Sequence, residues 1–330
     1  MRAYRLQELS MAGLKLVEEE QPAPGRGEVL VRVRASSLNF RDFIIVNGWF
    51  PMPIAPGRIP LSDGAGEIVA VGDDVRQFAV GDRVVNGFYA NWFGGSFNTM
   101  PEQYVTEHDG WLSEYRVVNA EALSRLPDHL SFEEGATLPC AGTTAWSALA
   151  GIGAGDTVLT QGTGGVSLFA VQLAKAAGAR VIATTSSAAK AERLKALGAD
   201  DVIDYVANPD WGEQARALTG GTGVDRVVEV GGPATIGQSI KAVRLGGQIS
   251  IVGILAGAEG GIDYMAMFLS FARFETIATG SRRDLEDMLR VIDRHNIKPV
   301  IDSIFPFDDA RGAFDKLAQR KLFGKIVVAH

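Results

Sequence analysis

The sequence predicts an α/β protein built in two unequal pieces, and three observations carry that prediction. Its 330 residues are about twice a typical domain length. From Arg2 to about Arg125 short apolar strands are broken by turn residues. From about Leu130 strands alternate with helices. The first rhythm reads as an antiparallel, barrel-like β unit, and the second implies crossover connections and a parallel sheet.

In the first piece Glu28-Val29-Leu30-Val31-Arg32-Val33-Arg34 and Gly66-Glu67-Ile68-Val69-Ala70-Val71-Gly72 have strand character, and Gln21-Pro22-Ala23-Pro24-Gly25 and Ala55-Pro56-Gly57 supply turns. In the second piece strands are expected at 157–161, 180–184, 201–204, 224–230 and 248–252, with helices over 166–177 and 188–197. The closing stretch 298–330 returns to strand, helix and strand and is expected to rejoin the first piece. The predicted division is therefore 1–125 with 297–330 against 126–296.

Composition narrows the function. Hydrophobic residues make up 46% and charged residues 22%, which fits neither a disordered chain nor a membrane protein. No apolar run reaches about 18 residues, and Met1-Arg2-Ala3-Tyr4-Arg5-Leu6-Gln7-Glu8 lacks the apolar block of an export signal, so a cytoplasmic protein with no membrane partner is expected. The net charge of −7, without a basic cluster, argues against nucleic acid. A lone cysteine, Cys140, rules out an internal disulfide and any multi-cysteine zinc lobe.

The turn Gln161-Gly162-Thr163-Gly164-Gly165-Val166-Ser167 follows a predicted strand and opens a predicted helix. Such a turn suits a dinucleotide: Gly162 for the tight bend, Gly164 for close approach of backbone to pyrophosphate, and the helix N-terminus for its N–H groups and dipole. Ser167 stands where a third glycine is usual and is small enough to preserve helix-to-strand packing. The alternative is a glycine-rich connection without a ligand. About 20 residues on, an NAD site would carry a carboxylate for the ribose. Here stand Ala183-Thr184-Thr185-Ser186-Ser187-Ala188-Ala189-Lys190, whose Ser186 and Lys190 suit a 2′-phosphate. NADP(H) is therefore expected over NAD(H). Alternatively Ser187 simply caps the next helix and Lys190 is solvated.

Several ordered motifs now align. They are Ser37-Leu38-Asn39-Phe40-Arg41-Asp42, Leu61-Ser62-Asp63-Gly64-Ala65-Gly66-Glu67, Gly81-Asp82-Arg83-Val84, Leu138-Pro139-Cys140-Ala141-Gly142-Thr143-Thr144-Ala145-Trp146, the glycine turn, Leu197-Gly198-Ala199-Asp200 with Tyr205, and Phe323-Gly324-Lys325-Ile326-Val327-Val328. Over essentially its whole length the chain resembles the medium-chain dehydrogenase/reductase superfamily, the alcohol dehydrogenase and quinone oxidoreductase group. The resemblance implies a GroES-like β-barrel catalytic domain, a Rossmann doubly wound parallel sheet and an active site in the cleft between them. It also implies Tyr205 beside the adenosine and Gly253, Ile254 and Leu255 near the nicotinamide. Zinc members carry a cysteine at the position of Asn39 and a histidine at that of Ser62; only Cys140 keeps a ligand type. The site is therefore expected to hold no zinc, with a cluster of Cys140, His108 and Asp63 as the alternative.

Without a metal to stabilise an alkoxide, hydride delivery to a quinone or to the β-carbon of an enone is the favoured chemistry, because the product anion is delocalised and ordinary donors suffice. Asn39 is the expected polar group beside the substrate oxygen, or else an asparagine bonding its own turn. Asp63 and Asp42 are expected to orient neighbours, or to pair with Arg41 or Arg58, rather than to transfer protons, since exposed carboxylates stay ionised near pH 7. Many relatives have a tyrosine in a Gly-x-Tyr-Pro-like stretch, whereas Gly48-Trp49-Phe50-Pro51 offers none. That leaves Tyr89, solvent or no protein group as proton donor, and weakens a fatty enoyl thioester as substrate. Trp49, Phe50 and Trp92, with Phe88, Phe93 and Cys140, form the expected pocket for a small hydrophobic or aromatic carbonyl compound or quinone, or are ordinary core aromatics. The apolar stretch 262–269 is read as a subunit contact of a homodimer, or as a buried helix. Two other functions fit the same residues: a zinc-free NAD(P)-dependent alcohol dehydrogenase or aldehyde reductase, and a non-catalytic NADPH-binding protein.

Overall fold

The computed structural model describes residues 1–257 and 259–330. Fifteen strands are found among them: β1 (Arg2–Leu6), β2 (Leu14–Glu18), β3 (Glu28–Leu38), β4 (Asp63–Val71), β5 (Arg83–Asn86), β6 (Tyr115–Asn119), β7 (Leu123–Arg125), β8 (Thr157–Gln161), β9 (Arg180–Thr185), β10 (Asp201–Asp204), β11 (Val224–Glu229), β12 (Val243–Ile251), β13 (Arg273–Thr276), β14 (Ile301–Pro306) and β15 (Lys325–Ala329). Among the described residues no helix is long and apolar enough to cross a membrane. The chain divides into two compact units, Met1–Thr143 with Gly280–His330, and Thr144–Thr279.

The first unit is organised around β3, which pairs antiparallel with β4, β6 and β15. The sheet order is β14-β15-β3-β4-β5-β7, with β6 on β3, and β1 pairs with β2 in a separate two-stranded sheet. Every pairing among the strands of residues 2–125 is antiparallel, and the closing stretch adds the parallel pair β14 and β15. The helix Ala310–Ala318 supplies the crossover that a parallel pair needs. The core contains Leu6, Val31, Ile68, Trp111, Phe314 and Val328. The closing stretch joins this unit, through the register Ile326 opposite Leu38.

Residues 126–143 and 280–296, grouped with the nucleotide unit in the sequence reading, lie in the first unit. The helix Arg282–Arg294 explains the second of these. It opens on a Ser281/Asp284 capping box and buries Leu285, Met288, Leu289 and Ile292, an i, i+3, i+4, i+7 stripe. Met288 faces the wide π-helical turn Leu138–Gly142, where a Cβ on Gly142 would stand 3.1 Å from its sulfur.

The second unit holds a fully parallel six-stranded sheet in the order β10-β9-β8-β11-β12-β13. Numbered within the unit this is 3-2-1-4-5-6, the doubly wound order, with its switch point beside β8. Continuous apolar strands such as Val158-Leu159 and Val227-Val228 are fully buried, as helices on both faces require. β12 begins at Val243, five residues before the expected start, and the edge strand β13 was not anticipated, since Arg273-Phe274-Glu275-Thr276 has little apolar content.

Candidate active site

In the second unit the expected nucleotide residues gather at the carboxyl ends of the parallel strands. Gly162, just past β8, has φ +72°, a conformation that side chains disfavour. Gly164 differs, because its φ of −78° and ψ of 173° suit any residue and a Cβ there would meet nothing within 4 Å. Neither the chain's own conformation nor its packing calls for glycine at 164. The open backbone here leaves room for a ligand to approach closely, at the N-terminus of the twelve-residue helix Gly165–Ala176. The chain thus fits a dinucleotide pyrophosphate at this turn. Ser167, in place of the third glycine, is buried and its hydroxyl donates to Gln161 O at 2.6 Å.

Ser186 follows β9 and is exposed. Ser187 caps the helix Ala188–Leu197, its Oγ accepting from the Lys190 backbone N–H at 3.4 Å, so the capping role weighed from sequence is present. Tyr205 follows β10, half exposed, with its N–H on Thr185 O at 2.9 Å. The 253–255 loop follows β12, with Ile254 and Leu255 exposed and Leu255 N–H bonded to Val230 O at 3.0 Å.

Sequence reasoning missed what ties these loops together. Glu229, at the end of β11 and fully buried, accepts from Gln161 Nε2 at 2.7 Å, Gly231 N at 2.8 Å, Gly232 N at 3.0 Å and Thr235 Oγ1 at 2.5 Å, and also from Ser239 Oγ. Gln161 Oε1 in turn accepts from Val230 N at 3.1 Å and Gly231 N at 3.2 Å. The pair joins the glycine turn to the loop after β11. A carboxylate inside an apolar buried strand was the available signal.

In the first unit the structure brings Asn39, Ser62, Asp63 and Cys140 together. Ser62 Oγ donates to Asp63 Oδ1 at 2.8 Å, Cys140 N–H donates to Asp63 Oδ2 at 3.2 Å, and Asn39 Nδ2 reaches Ser62 Oγ at 3.4 Å. Asn39 N–H donates to Asp42 Oδ2 at 2.8 Å, part of a capping box that starts the helix Phe40–Val46. Leu61, just before Ser62, is buried with φ +69°, so this turn holds a strained residue at a cost of about 1 kcal/mol. The sequence reading passed over Lys325. Its ammonium is buried (4% exposed), donates to Leu38 O at 2.6 Å and to Asn39 Oδ1, and lies 3.9 Å from Asp63 Oδ2. Only the β15–β3 register places it there. A lysine between a glycine and an apolar strand otherwise reads as solvent-exposed.

Burial sets the protonation of this cluster. It pushes Asp63 above its ordinary range, against the opposing pull of Lys325 and of the hydrogen bonds from Ser62 and the Cys140 backbone. It raises Asp42 to about 6, despite Arg41. It drives the Cys140 thiol well above the usual range, with Asp63 adding to the effect. Tyr89 is pushed up to about 12, again mainly by burial.

The expected pocket aromatics do not form one cluster. Tyr89 stands edge-to-face with Phe88 at 4.8 Å and with Trp92 at 5.5 Å, and Trp92 meets Phe97 at 4.8 Å. Arg41 lies over both Phe50 and Phe88. Trp49 is 65% exposed and touches Phe43. Phe93 lies beneath Arg282. His108, weighed as a metal ligand, places Nε2 2.6 Å from Glu102 Oε2, and among the described residues no three His, Cys, Asp or Glu side chains could together hold a metal ion.

Two family models match successive parts of the chain, the second extending past Thr279 into the helix Arg282–Arg294 of the first unit. A family model described as an alcohol dehydrogenase GroES-like domain matches residues 25–128, and one described as zinc-binding dehydrogenase matches 165–294. A zinc-type alcohol dehydrogenase-like protein of Schizosaccharomyces pombe is 40% identical, covering 95% of each chain. A quinone oxidoreductase of Pseudomonas aeruginosa is 32% identical over 99% of each. The solved structure of an NAD-dependent alcohol dehydrogenase superposes with a TM-score of 0.93 at 33% identity, covering 100% of both chains.

Proposed function

Because the chain belongs to the medium-chain dehydrogenase/reductase superfamily, a family of oxidoreductases that bind a nicotinamide cofactor, we propose that it is a zinc-independent, NADPH-dependent reductase of quinones or α,β-unsaturated carbonyl compounds. The observation that carries this reading is the composition of the Asn39, Ser62 and Cys140 cluster. Its members are an amide, a hydroxyl and a single thiol, whereas zinc is held by several thiolate, imidazole or carboxylate ligands, and among the described residues no three such side chains could together hold a metal ion. Such a cluster has donors for an enolate or phenolate oxygen, whose charge is already delocalised, while its buried ammonium, Lys325, is engaged by Leu38 O, Asn39 Oδ1 and the Asp63 carboxylate rather than placed to stabilise an alkoxide.

The reduced nicotinamide, when bound, supplies the hydride. The remaining work falls to the chain. Gly162, Thr163, Gly164, Gly165 and Val166 receive the pyrophosphate, and Gly253, Ile254 and Leu255 border the nicotinamide end. Tyr205 flanks the adenosine. Ser186 and Lys190, at the start of a helix and with no carboxylate from Ala183 to Lys190, favour the 2′-phosphate over a free ribose hydroxyl. Asn39 Nδ2 donates to the substrate oxygen, and Asp63 orients Ser62 and the Cys140 backbone. Tyr89, whose raised pKa makes it a weak acid, donates a hydrogen bond, and solvent protonates the product carbon. Trp49, Phe50, Trp92 and Cys140 border the substrate.

The competing reading is a zinc-free alcohol dehydrogenase or aldehyde reductase; of this the names of the relatives support only the alcohol dehydrogenase part. NADPH and NADH oxidation measured with quinones, enones and aldehydes, and the reverse reaction with alcohols, separates the two. The proposal expects enones or quinones with NADPH to give the highest kcat/KM. Saturated alcohols as the best substrates would overturn it, and no turnover would favour a non-catalytic NADPH-binding role.

We further propose a homodimer. The helix Tyr264–Leu269 buries no residue, against the buried-helix alternative, and Ile262, Tyr264, Met265, Phe268, Leu269 and Phe271 form an exposed apolar face next to the edge strand β13.

A further inference from the structure

We infer that Lys325 is a positioning residue for this reduction: its ammonium locks the Asn39 amide with Oδ1 turned inward, so that Nδ2 is the end presented to a substrate oxygen. The inference rests on the proposed function for the identity of that oxygen, and on geometry alone for the lock itself.

An ammonium has three donors and no acceptor. The Asn39 atom it touches must therefore be the carbonyl oxygen, which fixes the orientation of an amide that could otherwise be reversed. From there the donors and acceptors are ordered around the cluster. Lys325 Nζ donates to Asn39 Oδ1, Asn39 Nδ2 faces Ser62 Oγ at 3.4 Å, and Ser62 Oγ spends its single hydrogen on Asp63 Oδ1 at 2.8 Å. The other Asp63 oxygen lies 3.9 Å from Lys325 Nζ, so the circuit closes on the same ammonium. The Asn39–Ser62 contact is its loosest link, longer than the usual 2.7 to 3.2 Å of an N–H···O bond.

Two consequences follow for chemistry at Asn39. A cation on the carbonyl oxygen polarises the amide and strengthens its N–H groups as donors. The same cation offsets the buried Asp63 carboxylate, which would otherwise oppose charge developing on a nearby oxygen. Without Lys325 the amide is free to turn its acceptor outward, where it would repel an oxyanion. The fold protects the placement: Lys325 is the first residue of β15, its N–H bonded to Val300 O at 2.9 Å, and the next residue, Ile326, is opposite Leu38.

The test compares Asn39→Ala, Lys325→Met, Lys325→Arg and the charge-balanced pair Lys325→Met/Asp63→Asn, which removes the ammonium without stranding a buried carboxylate. The first readout needs no turnover: the side-chain amide resonances of Asn39 in ¹⁵N-labelled protein, assigned by their loss in Asn39→Ala. They should shift in the charge-balanced pair and stay near their native position in Lys325→Arg. Unmoved resonances in the pair would overturn the lock, whatever the enzyme reduces. The second readout is enone or quinone reduction by NADPH. Loss of an oriented donor lowers kcat by about 100-fold. We expect a decrease of that order in Asn39→Ala and in the charge-balanced pair, unchanged NADPH affinity in both, and no further decrease when all three substitutions are combined. Multiplicative losses, or a loss confined to NADPH affinity, would overturn the inference and leave the proposed function standing. A native enzyme inactive on enones and quinones would instead sink the proposed function, while the amide resonances still decide the lock.

Discussion

Replacing Gly164 separates binding from stability in a way that few positions in the molecule allow. Its backbone, at φ −78° and ψ 173°, admits any residue, and the space for a Cβ is open. Alanine loses some of glycine's fitness as a helix N-cap, about 1 kcal/mol at most. It regains about 0.4 to 1 kcal/mol by restricting the unfolded chain. The net change in stability is therefore under about 1 kcal/mol, roughly 2 °C in Tm for a protein of this size. If backbone N–H groups at this turn bind a phosphate, displacing one charge-assisted hydrogen bond costs about 1.5 to 3 kcal/mol. That is roughly a 10- to 150-fold rise in the NADPH dissociation constant. Calorimetric titration with NADPH beside thermal unfolding measures both, with Gly164→Val as the larger obstruction. Gly162→Ala is the contrast: its φ of +72° makes the substitution cost about 1 to 2 kcal/mol of folding stability. An NADPH affinity in Gly164→Val within twofold of native would refute the assignment of this turn to the pyrophosphate.

Much of this arrangement was legible before any coordinate. The strands at 157–161 and 201–204 and the helix at 188–197 coincide with their expected limits, because each is a strongly patterned segment bounded by glycine or a cap. Asn39, Ser62, Asp63 and Cys140 were legible as a group only through resemblance, since they lie up to about a hundred residues apart and no spacing rule joins them. Lys325 and Glu229 escaped for the same physical reason: a buried charge is defined by partners that only tertiary register supplies, and locally each is one polar residue in an apolar strand. The grouping of 280–296 also depended on packing, because the amphipathic stripe of Arg282–Arg294 shows that the helix is buried on one side without naming the surface that covers it.

Three further outcomes are expected. Ser186→Asp places a carboxylate where a ribose hydroxyl would be accepted and a phosphate repelled, so the ratio of kcat/KM for NADPH over NADH should fall at least tenfold; an unchanged ratio would remove this segment from cofactor choice. Asp42, raised from 3.8 to about 6 mainly by burial, favours the fold most below pH 4 and loses up to about 3 kcal/mol of that contribution as the pH rises through 6. Asp42→Asn cannot ionise, so urea denaturation at pH 4 and pH 8 should show the variant gaining on the native protein at the higher pH, and a constant difference would refute the shift. Phe268→Asp on the exposed helix should halve the mass measured by light scattering at micromolar concentration without lowering Tm by more than about 2 °C, whereas an unchanged mass would place any subunit contact elsewhere.

The proposal that this fold reduces conjugated acceptors without zinc is tested most directly by quantifying zinc in purified, active enzyme and assaying enone or quinone reduction by NADPH before and after exhaustive chelation. Substoichiometric metal with full turnover after chelation is the predicted result. Activity that tracks zinc content, vanishing with the chelator and returning on its readdition, would contradict it.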